Sequence, residues 1–418
     1  MRQHTRDRLG AVAVLLALAT CAPPVADLPL PPSPVAAIPE IRVGLMVGSP
    51  TLEVSGDGGV LVQDADGNAT AAIEAGSPWR VRSAAGMVDA GATGAWQVTG
   101  QQQVTFVPRV AGGWLRIGGR PYRGRLTIVR DRTGLTVVNV VNLEDYLAGV
   151  VAAEMGRRDS TDGQALAAQA IVSRTFALRN LGKRATEGFD LYASVADMVY
   201  AGTAAEYPAA SAAVAATSGQ ILTWQGAPID AFFFSTCAGQ TATGTEVFAA
   251  ADRPYLQSLR DVDPEGQAYC RISPRFRWRE EWSLEELRGV LKTTLPRATT
   301  ATAEAAAGVR GVTVARRTAS DRVSRVTIAL RTGGVDVDGP AIRQVLRPMG
   351  GAVLRSAIFQ LSEVREGAQL RRLVADGAGA GHGVGFCQWG AVGRARAGQD
   401  APTILAAYFP GTTLSRAY

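Results

Sequence analysis

Histidine is almost absent from this chain: two in 418 residues, His4 and His382. No His-Glu-x-x-His stretch occurs, which excludes the common helical zinc-peptidase arrangement, and no Gly-x-Ser-x-Gly elbow marks a hydrolase serine. Charged residues make up only 19% of the chain. They never gather into a block of five or six of one sign, so a nucleic-acid partner is not expected. No repeat of 20–50 residues is present, which excludes a solenoid. Beyond the first twenty residues no segment is apolar enough to span a bilayer. There are four cysteines, Cys21, Cys237, Cys270 and Cys387, too widely spaced for a zinc finger.

What is present describes an exported globular protein. Hydrophobic content is 47% and net charge is +6. That mild basic bias suits polyanionic envelope polymers or a membrane surface, or reflects only a coding preference for arginine and alanine. Arg2, Arg6 and Arg8 precede an apolar run from Leu9 to Ala19, and small residues follow. Residues 1–21 read as a secretory signal peptide. Its end, Leu18-Ala19-Thr20-Cys21, is close to a lipoprotein signal, although Thr20 departs from the usual small residue. Two outcomes stand: lipidation at Cys21, which would be the chain's one link to a membrane, or plain cleavage into the periplasm or beyond. With Cys21 lipidated, three cysteines remain in the fold. In an oxidising compartment two of them pair, and this is the favoured reading. The alternative is zinc held by Cys237, Cys270, Cys387 and His382.

Residues 22–39 are rich in proline and read as an extended tether. From 40 to 130, short β-branched runs are broken by Gly, Asp and Asn, which predicts a small all-β unit. Residues 131–418 change character. Leu135 to Val141 reads as a strand, and Asn142 caps a helix with acids in its first turn. Asp162 to Leu181 carries apolar residues at helical spacing. A second helix runs from Tyr207 to Thr217, and strands begin at Ile221 and at Ala231, the latter reaching Ser235. About 282–373 reads as an α+β insertion, opened by a helix capped at Ser283. A last helix spans Ala401 to Tyr408. The fold class is therefore α+β.

Several groups carry potential chemistry. Glu154 lies in Val150-Val-Ala-Ala-Glu-Met155, among small apolar residues. Partial burial raises a carboxyl pKa, as a general acid near neutrality requires, but a glutamate at a helix end also caps backbone donors. Glu144 and Asp145 suit the positive end of a helix with no catalytic role. Phe233-Phe-Ser-Thr-Cys-Ala-Gly-Gln240 leaves a hydrophobic strand for a polar turn, where Ser235, Thr236 and Cys237 can meet a ligand or simply form a turn. Gly381-His-Gly-Val-Gly-Phe-Cys-Gln-Trp-Gly390 is the densest signal. Its glycines allow unusual backbone angles or a close approach to a ligand.

Three ordered segments together resemble the SpoIID/LytB family, the domain of stage II sporulation protein D. They are Val141-Asn-Leu-Glu-Asp-Tyr-Leu-Ala-Gly-Val-Val-Ala-Ala-Glu-Met155 with Ala165 to Leu178, Phe234-Ser-Thr-Cys-Ala-Gly-Gln-Thr241 with Cys270-Arg-Ile-Ser-Pro274, and the Gly381 segment with Tyr408-Phe-Pro-Gly411. The resemblance runs from about Leu135 to the C-terminus and is loose across the insertion. It implies work on peptidoglycan glycan strands. Members with catalysis are lytic transglycosylases, which cut between N-acetylmuramic acid and N-acetylglucosamine and leave a 1,6-anhydro end. Others are amidase enhancers, which bind the wall and stimulate a separate amidase. The family's catalytic glutamate matches Glu154. Ser235, Thr236, His382 and Gln388 are then expected to touch sugar or orient Glu154, and Arg174 and Gln169 follow as weaker candidates. Phe234 stands where some members have histidine, and Met198 where some have a glutamine beside a Cys/His pair. A zinc site of the relatives' kind loses ligands here, which again favours the disulfide.

Overall fold

The computed structural model describes residues 37–92, 94–248 and 251–418. The signal peptide, Cys21 and nearly all of the proline-rich tether lie outside the described residues. No described helix is long and apolar enough to cross a membrane.

The strand Leu135–Asn142 organises the molecule. Its sequence, LTVVNVVN, is a near-continuous β-branched run, the pattern of a strand covered on both faces, and all but its last residue are buried. It pairs antiparallel with Glu40–Ser49 on one side and Arg125–Arg130 on the other. The sheet has seven strands, in the order Leu191–Tyr192, Glu40–Ser49, Leu135–Asn142, Arg125–Arg130, Gln103–Pro108, Val60–Gln63 and Ala69–Ile73. The expected boundary at 130 thus falls inside a sheet. The β-rich region and the following helices share one hydrophobic core, which runs from Ile41 to Phe409. A six-stranded sheet completes the N-terminal part. Asn139, fully buried, donates to the carbonyls of Arg123 and Arg125 at 2.9 and 3.2 Å and accepts from the Tyr200 hydroxyl at 3.1 Å. Those bonds satisfy a polar group that would otherwise be costly inside the core.

Asn142 caps the Leu143–Met155 helix, its Oδ1 accepting the Glu144 N–H at 2.9 Å. The Gly163–Arg179 helix is buried over most of its surface, its polar residues Gln169, Ser173, Arg174 and Thr175 included. It packs against Leu143–Met155, Pro208–Ala216, Gln388–Arg396 and Ala401–Tyr408. The strand expected from Ala231 to Ser235 shrinks to Phe233–Phe234. It pairs in parallel with Phe386–Cys387, and this short ladder joins the second and third sequence segments.

The insertion has a core of its own, from Trp278 to Ala375. Two three-stranded sheets and the amphipathic Leu284–Ala298 helix enclose it. Ser283 and Glu286 form a reciprocal capping box at the start of that helix.

Candidate active site

Glu154 lies in the last turn of the Leu143–Met155 helix, with both carboxylate oxygens engaged. The Val199 N–H donates to Oε1 at 2.7 Å, and Gln388 Nε2 donates to Oε2 at 3.4 Å. Burial pushes the carboxyl above its ordinary range, and the two hydrogen bonds oppose that rise without cancelling it. The residue is half-buried, so a ligand can reach it.

Gln388 is the first residue of the Gln388–Arg396 helix, and its amide is fixed by a chain of bonds. Gln169 donates through Nε2 to Ser173 Oγ at 2.9 Å, so its oxygen faces Gln388 and accepts from it at 3.3 Å. An amide nitrogen has two N–H donors. One goes to Gln169 and the other to Glu154. Of the candidates named from the sequence, Gln388 bonds Glu154 directly, and Gln169 bonds Gln388. Gln169 is fully buried and acts through Gln388.

Other candidates fall elsewhere. Arg174 is fully buried and grips Glu144 through Nε and Nη2, both at 2.7 Å, while also donating to the carbonyls of Gln220 and Val214. It holds the fold and presents nothing to a sugar. Thr236 is buried, its hydroxyl 2.8 Å from Ser273 Oγ, so it too is withdrawn from any ligand. Ser235 stays half-buried beside the site, its carbonyl accepting the Trp389 N–H at 3.0 Å.

His382 sits among the rings of Phe232, Phe234 and Phe248. Its Nε2 meets the Phe233 carbonyl at 2.8 Å, and its Nδ1 accepts the Val384 N–H at 3.2 Å. Burial pulls its pKa down to about 4, so the ring is neutral. With both nitrogens held by backbone, His382 is neither a metal ligand nor a base, and it pins its loop. The glycines of this segment answer to the chain itself. At Gly385, φ is +76° and an added Cβ would lie 2.4 Å from the Phe232 carbonyl. At Gly390 it would lie 2.1 Å from the Tyr408 hydroxyl and 2.2 Å from Asp261 Oδ2.

The three cysteines converge, although the favoured disulfide is absent. Cys237, Cys270 and Cys387 are buried free thiols, with Cys237 and Cys270 sulfurs 3.4 Å apart. His382 does not join them.

Two residues beside the site escaped the reading of the sequence. Trp389, half-buried, carries the Arg158 guanidinium 4.0 Å from its ring centre, and Arg158 Nε donates to the Met155 carbonyl at 3.0 Å. An aromatic face and a cation thus flank Glu154. Trp389 stood next to Gln388 in the densest motif, and that adjacency was the available signal.

Comparison with known proteins agrees with this layout. Residues 131–224 match the family model described as stage II sporulation protein. Residues 270–385 match a domain of unknown function, DUF8618, which coincides with the separate core of the insertion. The chain is 30% identical over 301 residues to stage II sporulation protein D of Bacillus subtilis, covering 68% of this chain and 78% of that protein. It is 29% identical over 299 residues to an uncharacterized protein of Brachyspira hyodysenteriae, covering 71% of this chain and 73% of the relative. It is 27% identical over 296 residues to the amidase enhancer of Bacillus subtilis, where it spans 40% of that longer protein. The chain belongs to the stage II sporulation protein D family.

Proposed function

We propose that this protein acts on the bacterial cell wall as a peptidoglycan lytic transglycosylase, with Glu154 as its single general acid and base. The observation that carries the reading is the state of Glu154: desolvated, its carboxyl raised from the ordinary value by burial, and oriented at both oxygens. A protonated Glu154 donates to the glycosidic oxygen between N-acetylmuramic acid and N-acetylglucosamine as that bond breaks. The carboxylate left behind accepts the proton of the muramoyl 6-hydroxyl, which attacks the anomeric carbon and closes the 1,6-anhydro ring. Because the nucleophile belongs to the substrate, no second carboxylate has to activate water, unlike an ordinary glycosidase. Asp197, the acid two residues before Val199, is already committed to Lys183 and Arg184. Trp389 and Arg158 offer a stacking face and a cation to the sugar. The signal-like leader supports export, with a lipid anchor at Cys21 as one form of it.

The kinship to an amidase enhancer supports a second reading, in which the same cleft binds glycan without cutting it and a separate amidase is stimulated. Purified protein incubated with glycan strands, with and without stem peptides, and assayed beside an added amidase distinguishes the two. Strand shortening without the amidase supports the first; stimulation of the amidase with intact strands supports the second.

The Gln388 bond makes a further prediction. It favours the ionised form of Glu154. Gln388→Leu is expected to move the alkaline limb of the pH–rate profile upward. Cleavage should fall roughly 10- to 150-fold, the equivalent of a charged hydrogen bond of about 1.5–3 kcal/mol. A uniform loss with an unmoved pH profile would show that Gln388 contributes only to packing.

A further inference from the structure

We propose that Cys237, Cys270 and Cys387 form a three-thiolate site for a thiophilic divalent cation of the zinc class. Their sulfurs all lie within 4.8 Å of one another, the nearest pair at 3.4 Å, and none is bonded to another. Three sulfurs each about 2.3 Å from a zinc-like ion stand about 3.7–4.0 Å apart, so the cluster needs only small adjustments to take one. A disulfide would use two of these thiols and leave the third buried against it.

Backbone N–H groups face two of the three sulfurs. Cys387 Sγ accepts N–H bonds from Cys237 and Gly390, both at 3.2 Å, and Cys237 Sγ accepts one from Gly239 at 3.4 Å. Backbone donors of this kind stabilise sulfur that carries negative charge. Asp261 stands behind Cys237, its Oδ2 3.3 Å from the sulfur, and is itself fixed by Arg394 and the Tyr408 hydroxyl, each at 2.8 Å. In the metal-free protein Asp261 accepts the Cys237 S–H; a bound ion takes the place of that proton, and Arg394 offsets the carboxylate's charge. The buried Arg322 guanidinium lies within electrostatic reach of Cys237 and Cys387, opposing the one negative charge that three thiolates leave on a dication. Binding displaces the three S–H protons.

The ligands come from distant parts of the chain. Cys237 follows the Phe233–Phe234 strand, Cys270 lies in the Tyr269–Ile272 turn, and Cys387 caps the helix that opens with Gln388. The site exists only in the folded state, so a bound ion stabilises that state and clamps the base of the Gln388 helix. The site is independent of the glycan-cleavage reading, and its test does not use activity.

The full chain, purified reduced and metal-free, would be titrated with Co²⁺ and then Zn²⁺. The expected result is sulfur-to-cobalt charge-transfer absorption saturating at one ion per chain. Zinc should displace it, Tm should rise with zinc, and the absorption should be lost in Cys270→Ser. The wild-type titration stands even if that variant fails to fold. Three reactive thiols with no charge-transfer band and no change in Tm would overturn the proposal. A peptide map of exported protein showing Cys237 bonded to Cys270 would also overturn it.

Discussion

Glu154→Gln is expected to lower glycan cleavage by about 10²–10⁴-fold, the usual worth of a positioned general acid, while the protein melts at or above the wild-type temperature at neutral pH. The two readouts separate chemistry from structure. Glutamine keeps the shape of the side chain and can still accept the Val199 N–H, but it has no proton to give to a leaving oxygen. The stability effect follows from linkage. Burial raises the folded-state pKa of Glu154 above its unfolded value. For an acid shifted that way, the favourable contribution is present below the unfolded pKa and is lost as pH rises through the folded one. At neutral pH the wild type therefore carries a desolvated carboxylate that the variant lacks, and the gap in Tm should close on acidification. A variant that loses activity because it melts lower would place Glu154 among the structural residues instead.

Arg174→Met is expected to destabilise the protein by about 3–5 kcal/mol, the cost of breaking a buried ion pair by removing one partner. Burial by itself would raise the Glu144 carboxyl, but hydrogen bonds from Arg174 and Tyr418 outweigh it and hold the group below its ordinary value. A depressed carboxyl contributes stability that is present above its unfolded pKa and lost as pH falls through the folded one. Urea midpoints should therefore show the penalty at pH 7 and a smaller one in acid. Adding Glu144→Gln should recover much of the loss, since no uncompensated charge then remains. Unchanged stability with a raised KM for glycan would instead make Arg174 a substrate contact.

These cases show what the chain reveals in its letters and what it conceals. The Asn142 cap, the apolar spacing of the Gly163–Arg179 helix and the Ser283 capping box are local, and local chemistry is readable. Glu154 stands out in the sequence only through the family motif, since a glutamate at a helix end also caps backbone donors; its bonds to Val199 and Gln388 come from the fold. Arg174, Thr236 and His382 were misplaced for one reason. Polar side chains near a motif suggest a ligand, yet each is satisfied by a partner far away in sequence or by backbone of its own loop. The antiparallel pairing of Glu40–Ser49 with Leu135–Asn142 is likewise non-local, and a change of composition at 130 carries no trace of it. The cysteine cluster had the same cause: three thiols over 150 residues give no spacing signal, and only the fold brings them together.

The most direct measurement is mass spectrometry of the products released from purified glycan strands by wild type and by Glu154→Gln. Wild type is expected to release products with 1,6-anhydro-muramoyl ends, and Glu154→Gln is expected to lose them. Reducing, non-anhydro ends, or anhydro ends that persist in Glu154→Gln, would contradict the proposed chemistry.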